Sequence, residues 1–177
     1  MKFLKILGVL ILVIFALFLI VPIFLPKNTA LSRSVVIAVA PKVAYDRVID
    51  FKTWQTWDPF SATEPTAQFS TAGAEKKIGY SRSWSGKKIG SGTMTLSALE
   101  EGKHLSTAMT FGKEPGTSEA FFDFEPVTGG TKVTWGYHQE NLKYPGQRIM
   151  GLMMNPMLGG AFDKGLANLK KVLEEKK

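Results

Sequence analysis

Leu105-Ser106-Thr107-Ala108-Met109-Thr110-Phe111 sets Leu105, Thr107, Met109 and Phe111 on one side of an extended chain and Ser106, Ala108 and Thr110 on the other. Successive side chains of a strand point to opposite faces of a sheet, so alternation of this kind marks a strand with one buried face. The period spreads outward from here. Upstream, Tyr80, Arg82 and Trp84 alternate with Gly79, Ser81 and Ser83, and Met94, Leu96 and Ala98 with Thr95 and Ser97; downstream, Ala120, Phe122 and Phe124 and then Val133, Trp135 and Tyr137 repeat it. Gly86-Lys87-Lys88, Glu101-Gly102-Lys103, Gly112-Lys113-Glu114-Pro115-Gly116 and Thr128-Gly129-Gly130 separate these runs. Such short turn-forming clusters make neighbouring strands pair antiparallel. Gln68 to His138 therefore reads as five or six antiparallel strands.

The flanks follow a different period. Arg33 to Val39 is β-branched and reads as a buried strand that stops at Ala40-Pro41. Pro41 suits a helix first turn, with Ala44, Val48 and Phe51 at helical spacing behind it. Trp54 and Trp57 share a face of a second short helix, which Asp58-Pro59 is expected to end. After Pro145, Phe162, Leu166, Leu169, Val172 and Leu173 form a helical stripe, with Lys164, Lys170, Lys171, Glu174 and Glu175 on other faces. Strands grouped apart from helices predict an α+β fold.

Ahead of all this stands Ile6 to Leu25, ILGVLILVIFALFLIVPIFL, with no charge. A helix of that length reaches roughly 30 Å, the thickness of a bilayer core. Lys2 and Lys5 precede it, as they would the apolar region of a secretory signal. Signal regions are shorter, about 7–15 residues, and Asn28-Thr29-Ala30 is a poor small-residue cleavage site, so a retained anchor is the favoured reading and cleavage the alternative. The two lysines favour a cytoplasmic N-terminus in the inner, cytoplasmic membrane, leaving the remainder periplasmic or extracellular. The expected division is a cytoplasmic stub over residues 1–5, a transmembrane anchor over 6–25, a linker over 26–32 and one domain over 33–177.

Charge and composition narrow the partners. Lys and Arg number 22 against 15 Asp and Glu, a net +7, yet the cations are scattered or paired rather than massed. They read first as a solvated surface and second as a means of meeting anionic lipid headgroups. No nucleic-acid recognition motif is present, and nucleic acid is not an expected partner. Cysteine is absent, which removes disulfides and thiolate metal sites; two histidines leave little for zinc, so neither metal nor cofactor is expected.

Five pieces in order resemble a known superfamily: Arg33-Ser34-Val35-Val36-Ile37 before Ala40-Pro41; Trp54-x-x-Trp57-x-Pro59; Trp84-Ser85-Gly86 with Ile89-Gly90-Ser91-Gly92; Thr131-Lys132-Val133-Thr134-Trp135; and Phe162-x-Lys164-Gly165-Leu166-x-x-Leu169-Lys170. Together they look like the START-related SRPBCC superfamily, in its polyketide cyclase/dehydrase-like branch, over roughly Ser32 to Leu173. That resemblance implies a helix-grip fold, a curved antiparallel sheet around a long C-terminal helix, with a deep apolar cavity between them. Its members bind lipids, sterols, polyketides and other hydrophobic molecules. The superfamily has no shared catalytic motif, so no catalytic residue is assigned.

If the large-residue strand faces are concave, Tyr80, Trp84, Met94, Leu96, Met109, Phe111, Phe122, Phe124, Trp135 and Tyr137 point at the terminal helix, as lining or as solid core. Met150, Met153, Met154 and Met157 offer a soft surface at the helix entrance, or ordinary core, and Gly159-Gly160 is expected to weaken or bend the helix there. Arg82 shares the face of Tyr80 and Trp84. Its counter-ion would be a ligand carboxylate or phosphate, or else an Asp or Glu of the chain, unless a bulge or strand end carries it to solvent. Thr107 and the Tyr80 and Tyr137 hydroxyls could orient a polar headgroup.

Catalytic signatures are missing by comparison. His104 and His138 fall on the face opposite the apolar residues, with solvent exposure the leading reading, and no nucleophile elbow or H-E-x-x-H is present. Gly86 to Gly92 lacks phosphate-loop spacing and reads as a lysine-tipped hairpin; Asp58, Glu64 and Glu119 read as surface or helix-ending residues. The favoured function is membrane-tethered binding of a hydrophobic small molecule or lipid. A cyclase/dehydrase-like enzyme acting on an apolar substrate, and an accessory module with a filled cavity, are the alternatives. Protein partners stay open.

Overall fold

A computed structural model describes residues 2–112 and 114–175, with the side chains of residues 114–117 left out. Met1, Lys113, Lys176 and Lys177 lie outside the described residues, and with them part of the expected turn at 112–116. The N-terminal helix α1 spans Lys2–Ile20 and passes into a 3-10 turn over Val21–Ile23. Lys2–Ile23 is long and apolar enough to cross a membrane, and only 6% of its most apolar window is covered by the rest of the chain.

The sheet has seven antiparallel strands: β1 Thr29–Ile37, β2 Gln68–Ala72, β3 Ser81–Ser85, β4 Ser91–Glu100, β5 His104–Phe111, β6 Glu114–Val127 and β7 Gly130–Gln139. Their order is β1-β7-β6-β5-β4-β3-β2. Hairpins join β2 through β7 in sequence, and β1 closes on β7. Helices α2 (Pro41–Ile49) and α3 (Pro59–Thr63), with a 3-10 helix over Phe51–Thr56 between them, connect β1 to β2. Helix α4, Gly146–Glu174, lies against the sheet for 29 residues, about 43 Å. This is the expected α+β helix-grip architecture.

Several boundaries depart from the sequence reading. β1 begins at Thr29, inside the expected linker, because Thr29 to Ser32 pair with Gln139 to Gly136. Asp58-Pro59 opens α3 instead of only ending the helix before it, since Asp58 accepts from the Phe60 and Ser61 amides as an N-cap. A bulge between Leu96 and Ala98 leaves Ala98 exposed and turns Leu99 toward the core.

The helix-grip contact depends on glycine. A Cβ on Gly165 would sit 2.7 Å from the Trp135 ring and 2.9 Å from Pro59 Cδ, so a larger residue would force α4 off the sheet. Gly159 and Gly160, expected to bend the helix, lie within an unbroken α4. Gly159 instead gives room to Arg33 of β1, whose guanidinium reaches Asn155 Oδ1 at 2.9 Å and Asp163 at 3.4 Å.

Candidate functional site

Sheet, α3 and α4 enclose a cavity of about 360 Å³ at one end of the grip. Its walls come from β2 to β7, from Trp54 and Phe60 of the connecting helices, and from Met157, Leu158 and Phe162 of α4. The other end is packed solid. Phe51, Trp57, Leu105, Phe122, Phe124, Val133, Leu166 and Leu169 are almost entirely buried there. Rings join this packed end to the cavity: Trp57 meets Phe122 and Trp135 edge-on, and Trp135 stacks on Phe162, with centroids 4.1 Å apart, where both reach the cavity wall.

Alternation identified the buried face but not the depth along it. Arg82, Trp84, Met94, Met109, Phe111, Trp135, Tyr137 and Met157 stand at the cavity. Leu96, Thr107, Phe122 and Phe124 share that face but belong to the packed core, where Thr107 donates to the Ala120 carbonyl at 3.1 Å. Tyr80 is stacked on Phe51 away from the cavity, and its buried hydroxyl has no partner among the described residues. Met154 packs inward, while Met150 and Met153 face outward on α4.

Arg82 is the charged centre of the wall, 3% exposed, and its partner is Asp58, equally buried. Nη2 lies 3.2 Å from Asp58 Oδ2 and donates to Ser61 Oγ at 2.9 Å. The guanidinium covers the Phe69 ring at 4.4 Å and the Trp54 ring at 5.4 Å. Burial pulls the Arg82 pKa down and Asp58 opposes that pull. Asp58 also accepts from the Phe60 amide at 3.1 Å, the Ser61 amide at 3.3 Å and Ser61 Oγ at 2.7 Å. A carboxylate so occupied positions Arg82, with both oxygens engaged inside the fold. Reading Asp58 as only a helix-ending residue is thus corrected: it opens α3 as its N-cap and pairs with Arg82, and alternation says nothing about partners 24 residues away.

Glu64 is corrected in the same way, being 7% exposed. Its carboxylate accepts from the amides of Lys87 (2.8 Å), Lys88 (2.8 Å) and Ile89 (3.1 Å), pinning the β3–β4 hairpin whose Lys88 and Ile89 reach the cavity. The Ile89 and Lys88 amides hold its pKa below the ordinary carboxylate value. Glu119 is exposed, as expected.

Tyr137 brings a hydroxyl to the cavity, but its proton is directed to Gln139 Oε1 at 2.8 Å, with Ser118 Oγ at 3.1 Å. Burial raises its pKa. On the opposite sheet face, half-exposed His104 lies 2.6 Å from Asp123 Oδ1 and 2.9 Å from Ser106 Oγ, a more engaged setting than free exposure. Ser106 donates to Glu119 at 2.6 Å, so its single proton is not held by His104 and the set is not a nucleophile–base pair. Among the described residues no group of three His, Cys, Asp or Glu is placed to hold a metal ion.

Residues 28–174 match the family described as polyketide cyclase / dehydrase and lipid transport. No curated protein shows significant sequence similarity to the chain. Among solved structures, an uncharacterised protein of Rhizobium leguminosarum superposes with a TM-score of 0.60 at 13% identity, covering 85% of this chain and 97% of its own. A protein of Nitrosospira multiformis gives 0.60 at 17% identity, over 82% and 97%. The Aha1 dimer of Colwellia psychrerythraea gives 0.55 at 16% identity, over 84% and 98%. At these identities the likeness is one of fold.

Proposed function

Because the chain belongs to the polyketide cyclase/dehydrase and lipid transport family, we propose that it binds a hydrophobic small molecule or lipid in its internal cavity while tethered by α1. The carrying observation is the void itself. About 360 Å³ walled by Trp84, Met94, Met109, Phe111 and Phe162 lies within the size range of small-molecule pockets, which begins near 300 Å³. A filled-cavity accessory module fits this less well. The action is extraction and shielding: apolar ligand surface leaves water at roughly 25 cal/mol per Å². Arg82 and Lys88, both at the cavity, supply polar orientation. Proton transfer has weaker support, since the Tyr137 and Asp58 oxygens already serve partners within the fold.

Lys2 and Lys5 favour a cytoplasmic N-terminus, with the domain on the outer side of the membrane. The test is to purify the full chain in mild detergent and analyse extracted compounds by mass spectrometry. A lipid or apolar metabolite in stoichiometric amount, absent from a mock purification, is the expected result. Protein that is consistently empty and takes up no apolar fluorescent probe would overturn the reading.

A further inference from the structure

The cavity lies at the end of the sheet where the chain leaves α1. Tyr137 at the cavity pairs with Leu31, two residues into β1, and Thr29 pairs with Gln139. The opposite end, at the β6–β7 turn, is the packed one. A set of hydrogen bonds ties the cavity end to the foot of α1. Tyr144 donates to the Leu19 carbonyl, Arg148 Nη1 to Pro22 O at 3.0 Å, the Leu142 amide to Lys27 O at 2.7 Å, and Thr29 Oγ1 to Gly151 O at 3.2 Å. Leu19 and Pro22 belong to the apolar helix, so the first turns of α4 are held at the level where that helix ends.

Those turns are the part of α4 with exposed apolar side chains. Met150 is 49%, Leu152 55%, Met153 52% and Met157 57% exposed, whereas Met154 and Leu158 on the inner side pack into the core. Met150, Met153 and Met157 recur at helical spacing along one flank, and Met157 is also a cavity wall. Ile23 and Phe24 at the foot of α1 are exposed too, with exposed Lys27 close behind them in the chain.

We propose that this flank of α4 docks on the lipid surface that holds α1 and forms the portal through which ligand passes between bilayer and cavity. The proposal rests on the tethered-binding reading and names the surface it works on. Continuity with α1 is what selects a bilayer over another protein as the occupant: the bonds to Leu19 and Pro22 hold the flank beside the end of the helix that would enter the lipid. Unbranched thioether side chains suit a portal, since they repack around different acyl shapes. Lys27 complements anionic headgroups. An apolar flank of this kind sits about 5–10 Å into the interface.

The chain has no cysteine, so single-cysteine labelling is clean. Full-length Met153→Cys, labelled with an environment-sensitive fluorophore and reconstituted in phosphatidylcholine–phosphatidylglycerol vesicles, is compared with Thr128→Cys in the distal β6–β7 turn. A lipid-borne nitroxide should quench the label at 153 at least about threefold more strongly than at 128. Equal quenching in protein that floats with the vesicles overturns the docking. As a functional arm, Met150→Glu with Met153→Glu should slow transfer of a fluorescent phospholipid from vesicles about tenfold. Uptake of a water-soluble apolar probe should stay unchanged. Unchanged phospholipid transfer overturns the portal while leaving cavity binding intact; loss of both uptakes points to failure of the binding site itself and counts against the portal.

Discussion

Arg82 and Asp58 set the chemistry of the cavity wall because neither can be removed alone. With both nearly inaccessible, loss of one charge strands the other in a low-dielectric site. Asp58→Asn keeps one acceptor oxygen but replaces the other, and the charge, with an NH2 donor that meets donors on the Phe60 or the Arg82 side; we expect it to destabilise the chain by about 3 kcal/mol in urea unfolding. Combining it with Arg82→Met should recover most of that loss. Glu64 offers a pH readout. Its pKa is lowered in the fold, so its stabilisation is present above the unfolded-state value and is lost as pH falls through the lowered one. The Lys87, Lys88 and Ile89 amide NMR signals should therefore hold steady as pH falls from neutral through the ordinary carboxylate range and move together only at more acid pH. Glu64→Gln should abolish that joint movement.

Individual elements were legible to different depths. Period-two alternation located β3 to β7 and the buried face of each, because a sheet covered on one side imposes that pattern directly on the sequence. It could not tell Met94 from Leu96, which share a strand and a face but lie at the open and packed ends of the grip. Nor could it place Trp54, Phe60, Phe69 and Ile89, whose arrival at the cavity depends on how segments distant in sequence fold over the sheet. The bulge after Leu96 has no local signal in Ser97-Ala98-Leu99. Helix α4 was expected to weaken or bend at Gly159-Gly160; it does neither, and Gly159 is there for the Arg33 side chain that packs against it, while Gly160 faces open space. This separates two substitutions. Gly165→Ala must push against the Trp135 ring and Pro59 and should cost about 1–3 kcal/mol. Gly159→Ala meets the movable end of the Arg33 side chain and gains about 1 kcal/mol of helix propensity, so thermal unfolding should show a net change near zero.

For the whole molecule, a packed end and a hollow end divide stability from binding. Filling the hollow should therefore leave the fold intact. Ala120→Leu projects its added carbons from β6 into the void and should cut co-purifying ligand about tenfold, measured by mass spectrometry, with stability in ligand-free buffer changed by less than about 1 kcal/mol. Ligand at one hundred times its dissociation constant should stabilise the unsubstituted chain by about 2.7 kcal/mol and the variant by far less.

The few residues from Phe24 to Asn28, bridged by the Leu142 bond to Lys27, leave the domain little freedom to swing about α1. With α1 in a bilayer, protein and ligand would then move in the same plane, and the search between them becomes two-dimensional. Its rate would follow the fluidity of the membrane and the surface density of ligand, while the viscosity of the surrounding water would scarcely enter.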